Sequence, residues 1–352
     1  MEAVAALYAE DDGGVAEAIV GSLSRAVFEG EELAAAGLLQ RVAARLSYRY
    51  LKRTTRRHVS AEGTVFHQPL LQRSGHPYAH ALLASSRKET EALVEGGDPM
   101  NGPYMVISPE IRAACSGWDR IFFQSVQSRD VQLRFIWETR ATVAAAGRFL
   151  KEKGAVRMKA VAAGTGLSMI LAYDRLLQEG ADPARMTVRI TDRDAVNTGK
   201  TRRLLKKLAA RRGWCLGGGE DGGIAAETED VFLAGEVPGA RFEVVTAVGI
   251  FEYLQGFTCE STEGRLQLAE LEEGANAEGL AAVLGRITAE GGNLIVNTFH
   301  PHSSTRILEV FGKKFDFRTR ENMTALLATA DFRIQELVGT GNIYDVKVYQ
   351  KV

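Results

Sequence analysis

The sequence has few cysteines and no long apolar segment. Its three cysteines, Cys115, Cys215 and Cys259, are widely spaced and odd in number, so they form neither a disulfide framework nor a metal-binding pattern. This cysteine usage is typical of a reducing cytoplasm. No apolar run approaches the roughly 18 residues of a membrane-spanning helix, and the acidic N-terminus is unlike a signal peptide. We therefore expect a cytoplasmic protein without a membrane partner.

The chain also lacks an excess of either charge and a metal-type histidine pattern. A formal net charge of −1 over 352 residues gives no broad electrostatic reason to expect nucleic acid. The basic cluster at 52–58 is better explained as a solvated face than as a nucleic-acid patch. Because the histidines at 58, 67, 76 and 80 show no paired spacing, we predict no metal site.

The most informative segment lies at 156–172, where a buried strand, a glycine turn and a helix follow one another. Glycine at 164 and 166 permits a tight turn and a close approach of the backbone to a ligand. Ser168 and the first N–H groups of the helix are placed to receive a polar or anionic group. An ordinary strand-to-helix turn would show the same short pattern, so the turn alone does not establish a binding site.

Two common nucleotide motifs are absent from this turn. The dinucleotide fingerprint requires a third glycine three residues after the second, and this chain has Met169 there. A P-loop requires a lysine followed by serine or threonine, which is also missing. The turn therefore argues against NAD or FAD and suits a cofactor with a ribose and an amino-acid tail.

An acidic residue follows the next predicted strand. The run 186–190 is rich in strand-forming residues, and Asp192 comes directly after it. A carboxylate offers two acceptor oxygens to the two hydroxyls of a ribose, so we predict that Asp192 binds the ribose. Asp194 precedes the basic helix 195–211 and is predicted to cap its N-terminus. The alternative for Asp192 is that it also takes part in this N-cap and does not bind a ribose.

Two further apolar runs, 242–254 and 291–301, are flanked by helical segments, as expected for central strands of a parallel sheet. In this order, the elements over 156–352 resemble a class I S-adenosylmethionine-dependent methyltransferase domain. The turn at 164–168 is similar to the first motif of that family, and 242–254 to its fourth-strand signature. The segments 249–254 and 297–301 most resemble the bacterial branch that includes hydroxy-fatty-acid methyl ester synthases of quorum signalling.

This resemblance implies an α/β, Rossmann-like class I methyltransferase fold, a mostly parallel seven-stranded sheet with helices on both faces. It implies S-adenosylmethionine as the cofactor of a domain at 151–352. Asp230, after the third strand, would accept from the exocyclic amine of adenine. The expected cofactor-binding residues are Ala163, Gly164, Thr165, Gly166, Ser168, Asp192, Arg193, Asp230 and Gly249.

The preceding residues, 1–150, are expected to form an α-helical cap over the substrate. Helical apolar spacing occurs at 15–28, 31–52, 79–95 and 131–153. Ligands of open α/β sheets lie beyond the carboxyl ends of the strands, so a cap there excludes water. Aromatic residues of this region are candidates for cation–π contact with the sulfonium, although core packing is the expected role of at least one phenylalanine. The expected pocket residues are Tyr104, Phe122, Phe123 and Gln124.

Methyl transfer to a small molecule is the reaction that the resemblance implies. It mainly requires alignment of nucleophile, methyl carbon and sulfur, and a general base only when the acceptor is protonated. The candidates for this role are Glu252, Tyr253, His300 and His302. His300 precedes Pro301 at a strand end that faces the expected pocket, and a surface loop histidine is an equally good interpretation.

One position departs from the family. The family carries an acid two residues before the first glycine, where it holds the methionine amino group, and this chain has Ala162. Main-chain carbonyls or a group from the N-terminal region must then hold that amino group. Two alternatives stay open. One is a same-fold enzyme that uses the 3-amino-3-carboxypropyl arm, by transfer or by closure to azetidine-2-carboxylate with release of methylthioadenosine. The other is a non-catalytic binding module.

Overall fold

A seven-stranded mixed sheet forms the centre of the protein. The computed structural model describes residues 13–30, 104–113, 124–217, 222–233, 241–254, 276–302 and 316–352, with isolated positions from 7 to 66 and at 256 and 260–261. The strands in chain order are β1 (Val156–Ala160), β2 (Met186–Asp192), β3 (Gly223–Thr228), β4 (Phe242–Ala247), β5 (Thr288–Phe299), β6 (Phe332–Thr340) and β7 (Tyr344–Lys351).

The order of strands across the sheet is β6-β7-β5-β4-β1-β2-β3. β1 pairs in parallel with β2 and β4, β2 with β3, and β4 with β5. β7 runs antiparallel to both of its neighbours, β5 and β6. The direction of strand addition reverses between β1 and β4, and a reversal of this kind opens a ligand crevice at the carboxyl ends of the strands.

Helices flank the sheet, and short elements lie beside it. Two-residue antiparallel pairs join His58–Val59 to Val65–Phe66 and Glu260–Ser261 to Asp316–Phe317. Among the helices of the described residues, none combines the length and apolar character needed to cross a bilayer. The helices whose bounds lie within the described residues are α1 (Gly13–Phe28), α2 (Pro109–Ala113), α3 (Val126–Lys153), α4 (Leu167–Gln178), α5 (Ala195–Arg212), α6 (Ala277–Ile287) and α7 (Arg320–Ala328).

Helix α3 is 28 residues long and starts five residues before its predicted beginning at 131. Ser125 provides the start, because its hydroxyl accepts from the Ser128 N–H at 3.3 Å. Gly154 ends the helix in a left-handed conformation with φ of 75°. Arg134 and Glu138, one turn apart, are both buried, so α3 carries charged groups into the protein interior.

Two apolar clusters cover the two faces of the sheet. The first joins α1, α3, α4 and α5 to β1 and β2, with Phe135 and Met158 among its members. The second joins α6 and α7 to β4, β5 and β7, with Val245 and Leu284 among its members. The predicted division of the chain after residue 150 falls within α3, and it stays a prediction.

The predicted strand at 242–254 is too long. β4 ends at Ala247, and a 3₁₀ helix at Phe251–Tyr253 continues the apolar run. Gly249, with φ of 86°, separates the two elements by a left-handed turn. The apolar character continues because Phe251 and Leu254 enter the second cluster, so the apolar run alone does not indicate where the strand ends.

Candidate functional site

The segment after β1 is a tight turn of left-handed backbone. Ala162, Gly164 and Gly166 have φ of 50°, 57° and 62°. The Gly166 N–H donates to the Ala163 carbonyl at 2.8 Å, which closes the turn directly before α4. A left-handed conformation costs a non-glycine residue about 1–2 kcal/mol, which accounts for glycine at 164 and 166 and makes Ala162 a locally strained position.

The second glycine has a packing role in addition to its backbone conformation. A Cβ on Gly166 would lie 2.3 Å from Cγ2 of Ile190, a fully buried residue of β2. On the other side of the turn, the Thr201 hydroxyl of α5 donates to the Thr165 carbonyl at 3.0 Å. The turn is therefore held between β2 and α5.

Asp192 ends β2, and its carboxylate ties the glycine turn to the next loop. Oδ2 accepts from the Gly164 N–H at 2.8 Å, and Oδ1 accepts from the Asp194 N–H at 2.8 Å. Asp194 itself caps α5 through the Val196 N–H, so that prediction is confirmed. A carboxylate has about four acceptor positions, so the two bonds orient the Asp192 carboxylate while a ligand's hydroxyls can share its oxygens.

Asp230 lies two residues beyond β3 at the same edge of the sheet. Thr228, the last residue of β3, pairs with Asp192 in the parallel register. The Glu229 N–H donates to the Asp192 carbonyl at 3.1 Å. The Asp230 Oδ1 accepts from the Phe232 N–H at 3.0 Å, which fixes its carboxylate in a local turn. Two carboxylates therefore stand at neighbouring strand ends.

A buried ion pair joins the end of β4 to α3. Arg134 Nη1 lies 3.2 Å from Glu252 Oε1, and the two side chains are 5% and 3% exposed. Asn297 of β5 connects this pair to Gly249: its Oδ1 accepts from the Gly249 N–H at 2.6 Å, and its Nδ2 donates to Glu252 Oε2 at 3.5 Å. Glu252, a candidate base from the sequence, is thus the counter-ion of Arg134.

Aromatic rings surround the Arg134 guanidinium. Its Nη2 donates to the Tyr104 hydroxyl at 2.9 Å, and its Cζ lies 4.6 Å from the centre of the Tyr344 ring. The Tyr104 ring stacks on Phe135 with centroids 4.4 Å apart. Tyr104, predicted to line the pocket, is half-buried beside the arginine. Sequence reasoning missed Arg134, since one arginine in a long helix gives no signal of burial.

A second buried charged group of α3 reaches the glycine turn. The Ser168 hydroxyl, in the first turn of α4, donates to Glu138 Oε1 at 2.8 Å. Glu138 is 8% exposed. Burial raises the pKa of Glu138 to about 7, while the Ser168 hydroxyl and the Arg134 charge act in the opposite direction. Ser168 was predicted as a site residue, whereas nothing in the sequence pattern marked Glu138.

Comparisons with known proteins agree with this architecture. No protein-family model and no curated protein matches the chain. Among solved structures, the chain is similar to a possible exported protein from Bordetella parapertussis, with 14% identity, a TM-score of 0.50 and 96% of each chain covered. The order and the directions of the seven strands identify the fold. The fold is that of the class I methyltransferases.

Two solved methyltransferases align over parts of the chain. One is a geranyl diphosphate methyltransferase in complex with GPP and sinefungin, with 11% identity, a TM-score of 0.42, and 68% of this chain and 86% of that chain covered. The other is the Burkholderia thailandensis 1,6-didemethyltoxoflavin-N1-methyltransferase, with 16% identity, a TM-score of 0.36, and 61% and 78% covered. At these identities and TM-scores, neither alignment adds to what the sheet topology shows.

His300 lies at the edge of the methyltransferase fold where β5 ends. Its Nε2 is 2.7 Å from Oδ2 of Asp345, a fully buried carboxylate that also accepts from Arg320 of α7. Burial would raise the pKa of Asp345, but the hydrogen bonds from His300 and Arg320 lower it to about 2. Tyr344 contacts Arg134, and side chains alternate along a strand. The His300–Asp345 pair therefore lies on the α7 face, away from Arg134.

The remaining predicted site residues are exposed, half-buried or outside the described residues. Tyr253 is 39% exposed in its 3₁₀ helix, and Arg193 and Gln124 are also exposed. His302 is half-buried, and burial followed by two nearby arginines lowers its pKa. Outside the described residues lie Phe122 and Phe123.

Proposed function

We propose that this chain is an S-adenosylmethionine-dependent enzyme that transfers a methyl group to a small molecule. The observation that carries the proposal is the Asp192 carboxylate, held 2.8 Å from the Gly164 N–H at the carboxyl end of β2. It stands beside the reversal point between β1 and β4, where open α/β sheets bind their ligands.

The residues present fit such a cofactor. Asp192 would accept the two ribose hydroxyls, and Asp230, at the neighbouring strand end, would accept from the adenine amine. Left-handed backbone at Gly164 would leave room for the nucleoside to approach the turn, and Gly249 would border it at the end of β4. Bound S-adenosylmethionine supplies a methyl group on its sulfonium sulfur. The positive charge on that sulfur makes the departing thioether an activated leaving group.

The protein's own contribution is then positioning and exclusion of water. The buried Arg134–Glu252 pair, with Tyr104 accepting a hydrogen bond from Arg134, would border the crevice next to β4. Because Glu252 is engaged by Arg134, and the His300–Asp345 pair lies on the α7 face away from Arg134, Tyr253 is the candidate for proton transfer.

The resemblance to hydroxy-fatty-acid methyl ester synthases favours a carboxylic acid as acceptor. A carboxylic acid of ordinary pKa is ionised at neutral pH, so its oxygen attacks without help from a general base. An amine or phenol acceptor would need one. Dependence of the reaction on Tyr253 would therefore report the chemical class of the acceptor.

Product analysis tests the proposal. Purified protein is incubated with S-adenosylmethionine, with and without a panel of hydroxy fatty acids, and the products are identified by mass spectrometry. S-adenosylhomocysteine together with a methylated acceptor supports methyl transfer. Methylthioadenosine formed without an acceptor indicates chemistry on the 3-amino-3-carboxypropyl arm, and binding without turnover indicates a binding module. Asp192→Ala serves as the control, and it should reduce each of these outcomes when S-adenosylmethionine is below saturation.

A further inference from the structure

The position before the glycine turn that holds the amino group of the methionine tail in the resembled family carries no acid in this chain. Ala162 stands where the resembled family has an acid, and its methyl side chain offers no acceptor. An ammonium group taken into a crevice needs an anionic partner, because an unpaired charge is costly to remove from water. A carboxylate from another element would offset that charge more fully than main-chain carbonyls alone.

Glu138 of α3 stands at this place. Its Oε1 lies 2.8 Å from the hydroxyl of Ser168, which belongs to the first turn of α4. The N-terminus of α4, at Gly166, directs N–H groups toward the same crevice. An α-amino acid carries its ammonium and carboxylate on one carbon, so a helix N-terminus beside a carboxyl group complements both charges.

Among the described residues, no cation forms a salt bridge with Glu138. Arg134, whose charge acts on Glu138 from one turn earlier on α3, is paired with Glu252 at 3.2 Å. Within the part of the chain that the structure describes, the group that bonds to Glu138 is the neutral Ser168 hydroxyl. Burial of a carboxyl group in this setting raises its pKa, here to about 7, so an incoming cation would complete the pair.

We propose that Glu138 binds the α-ammonium group of S-adenosylmethionine and takes the place of the acid that is missing at Ala162. The residue is a cofactor-binding group contributed by the N-terminal half of the chain, across α3, to the turn after β1. This inference rests on the proposed function. Its test therefore uses a pair of ligands that distinguishes failure of the Glu138 role from failure of cofactor binding itself.

The ligands are S-adenosylhomocysteine and its deamino analogue, the thioether of 5′-deoxyadenosine with 4-mercaptobutyrate. They differ only in the α-amino group. Glu138→Gln keeps an oxygen to accept from Ser168 and removes the charge. The matched control is Glu243→Gln, since Glu243 is 7% exposed and bonds to Arg157 near the start of β4, at the opposite edge of the sheet.

Calorimetry at pH 7 should show that Glu138→Gln weakens S-adenosylhomocysteine binding about 10- to 100-fold, the scale of a lost hydrogen bond to a charged group. The affinity for the deamino analogue should stay within about twofold of the wild type. Glu243→Gln should change neither affinity. A carboxyl group with a pKa near 7 is half protonated at pH 7. Titration in two buffers of different ionisation enthalpy should therefore show that the wild type releases about half a proton on binding, whereas Glu138→Gln releases none.

Equal losses for both ligands in Glu138→Gln, or no loss for either, would overturn the inference and leave the proposed function standing. Thermal unfolding of each variant without ligand shows that the protein is folded. Failure of the wild type to bind either ligand would overturn the proposed function, and the role of Glu138 with it.

Discussion

Replacing Gly166 with alanine tests the geometry of the turn without reference to any ligand. The new Cβ would lie 2.3 Å from Cγ2 and 3.1 Å from Cδ1 of Ile190. Overpacking of this kind costs about 1–3 kcal/mol, and a left-handed φ adds about 1–2 kcal/mol for alanine. We expect Gly166→Ala to lower the free energy of unfolding by about 2–5 kcal/mol, the sum of these two costs.

Gly213 provides a matched control for the backbone part of this loss. Its φ of 67° is close to the 62° of Gly166, and a Cβ there would meet nothing within 4 Å. Gly213→Ala should therefore lose only the conformational share, about 1–2 kcal/mol. Urea unfolding followed by tryptophan fluorescence measures both variants, with Trp214 buried in the first cluster.

The contact with Ile190 should account for the difference between the two glycines. In an Ile190→Ala background, which removes the obstructing methyl groups, the extra cost of Gly166→Ala over Gly213→Ala should disappear. Equal losses in Gly166→Ala and Gly213→Ala in the wild-type background would refute the packing role of Gly166.

Three further outcomes are expected. Asp192→Ala should weaken S-adenosylhomocysteine binding by about 1–3 kcal/mol in calorimetry, since a charged hydrogen-bond acceptor is lost, and unchanged affinity would remove Asp192 from the site. Arg134→Met should lower the free energy of unfolding by about 3–5 kcal/mol, because Glu252 stays buried without its counter-ion, and Arg134→Met/Glu252→Gln should recover part of it; an equally unstable double variant would contradict this. Burial raises the pKa of Glu138 from 4.5 to about 7, so the folded state binds the extra proton between these values. The free energy of unfolding should therefore fall as pH rises from 4.5 to 7 and level off above, and Glu138→Gln should remove this slope in urea titrations. An identical slope in the variant would show that Glu138 is not the responsible group.

The strands at 186 and 242 were predictable because both runs are rich in β-branched and apolar residues, whereas the strand at Gly223–Thr228 was not located from the sequence. β2 and β4 both begin where predicted, at Met186 and Phe242. The end of β4 was not predictable, because the 3₁₀ helix after Gly249 uses the same apolar residue types to fill the second cluster. The cap at Asp194 was predictable, since a short polar side chain before a helical run has a local effect.

The charged interior of the site could not be predicted from local patterns. Arg134 is separated from its partner Glu252 by 118 residues, and Glu138 is separated from Ser168 by 30. On α3 these residues look like part of a solvated face, because burial depends on which element packs against the helix. The missing acid at Ala162 was visible in the sequence, but only the packing of α3 on α4 shows which carboxyl group lies near the turn.

A crystal structure of the protein grown with S-adenosylhomocysteine tests the central claim most directly. The account predicts the ribose hydroxyls at about 2.5–3.0 Å from the Asp192 carboxylate, with the thioether beside the turn at Gly164. A nucleoside bound at any other place, or a crevice that stays without it at saturating ligand, would contradict the account.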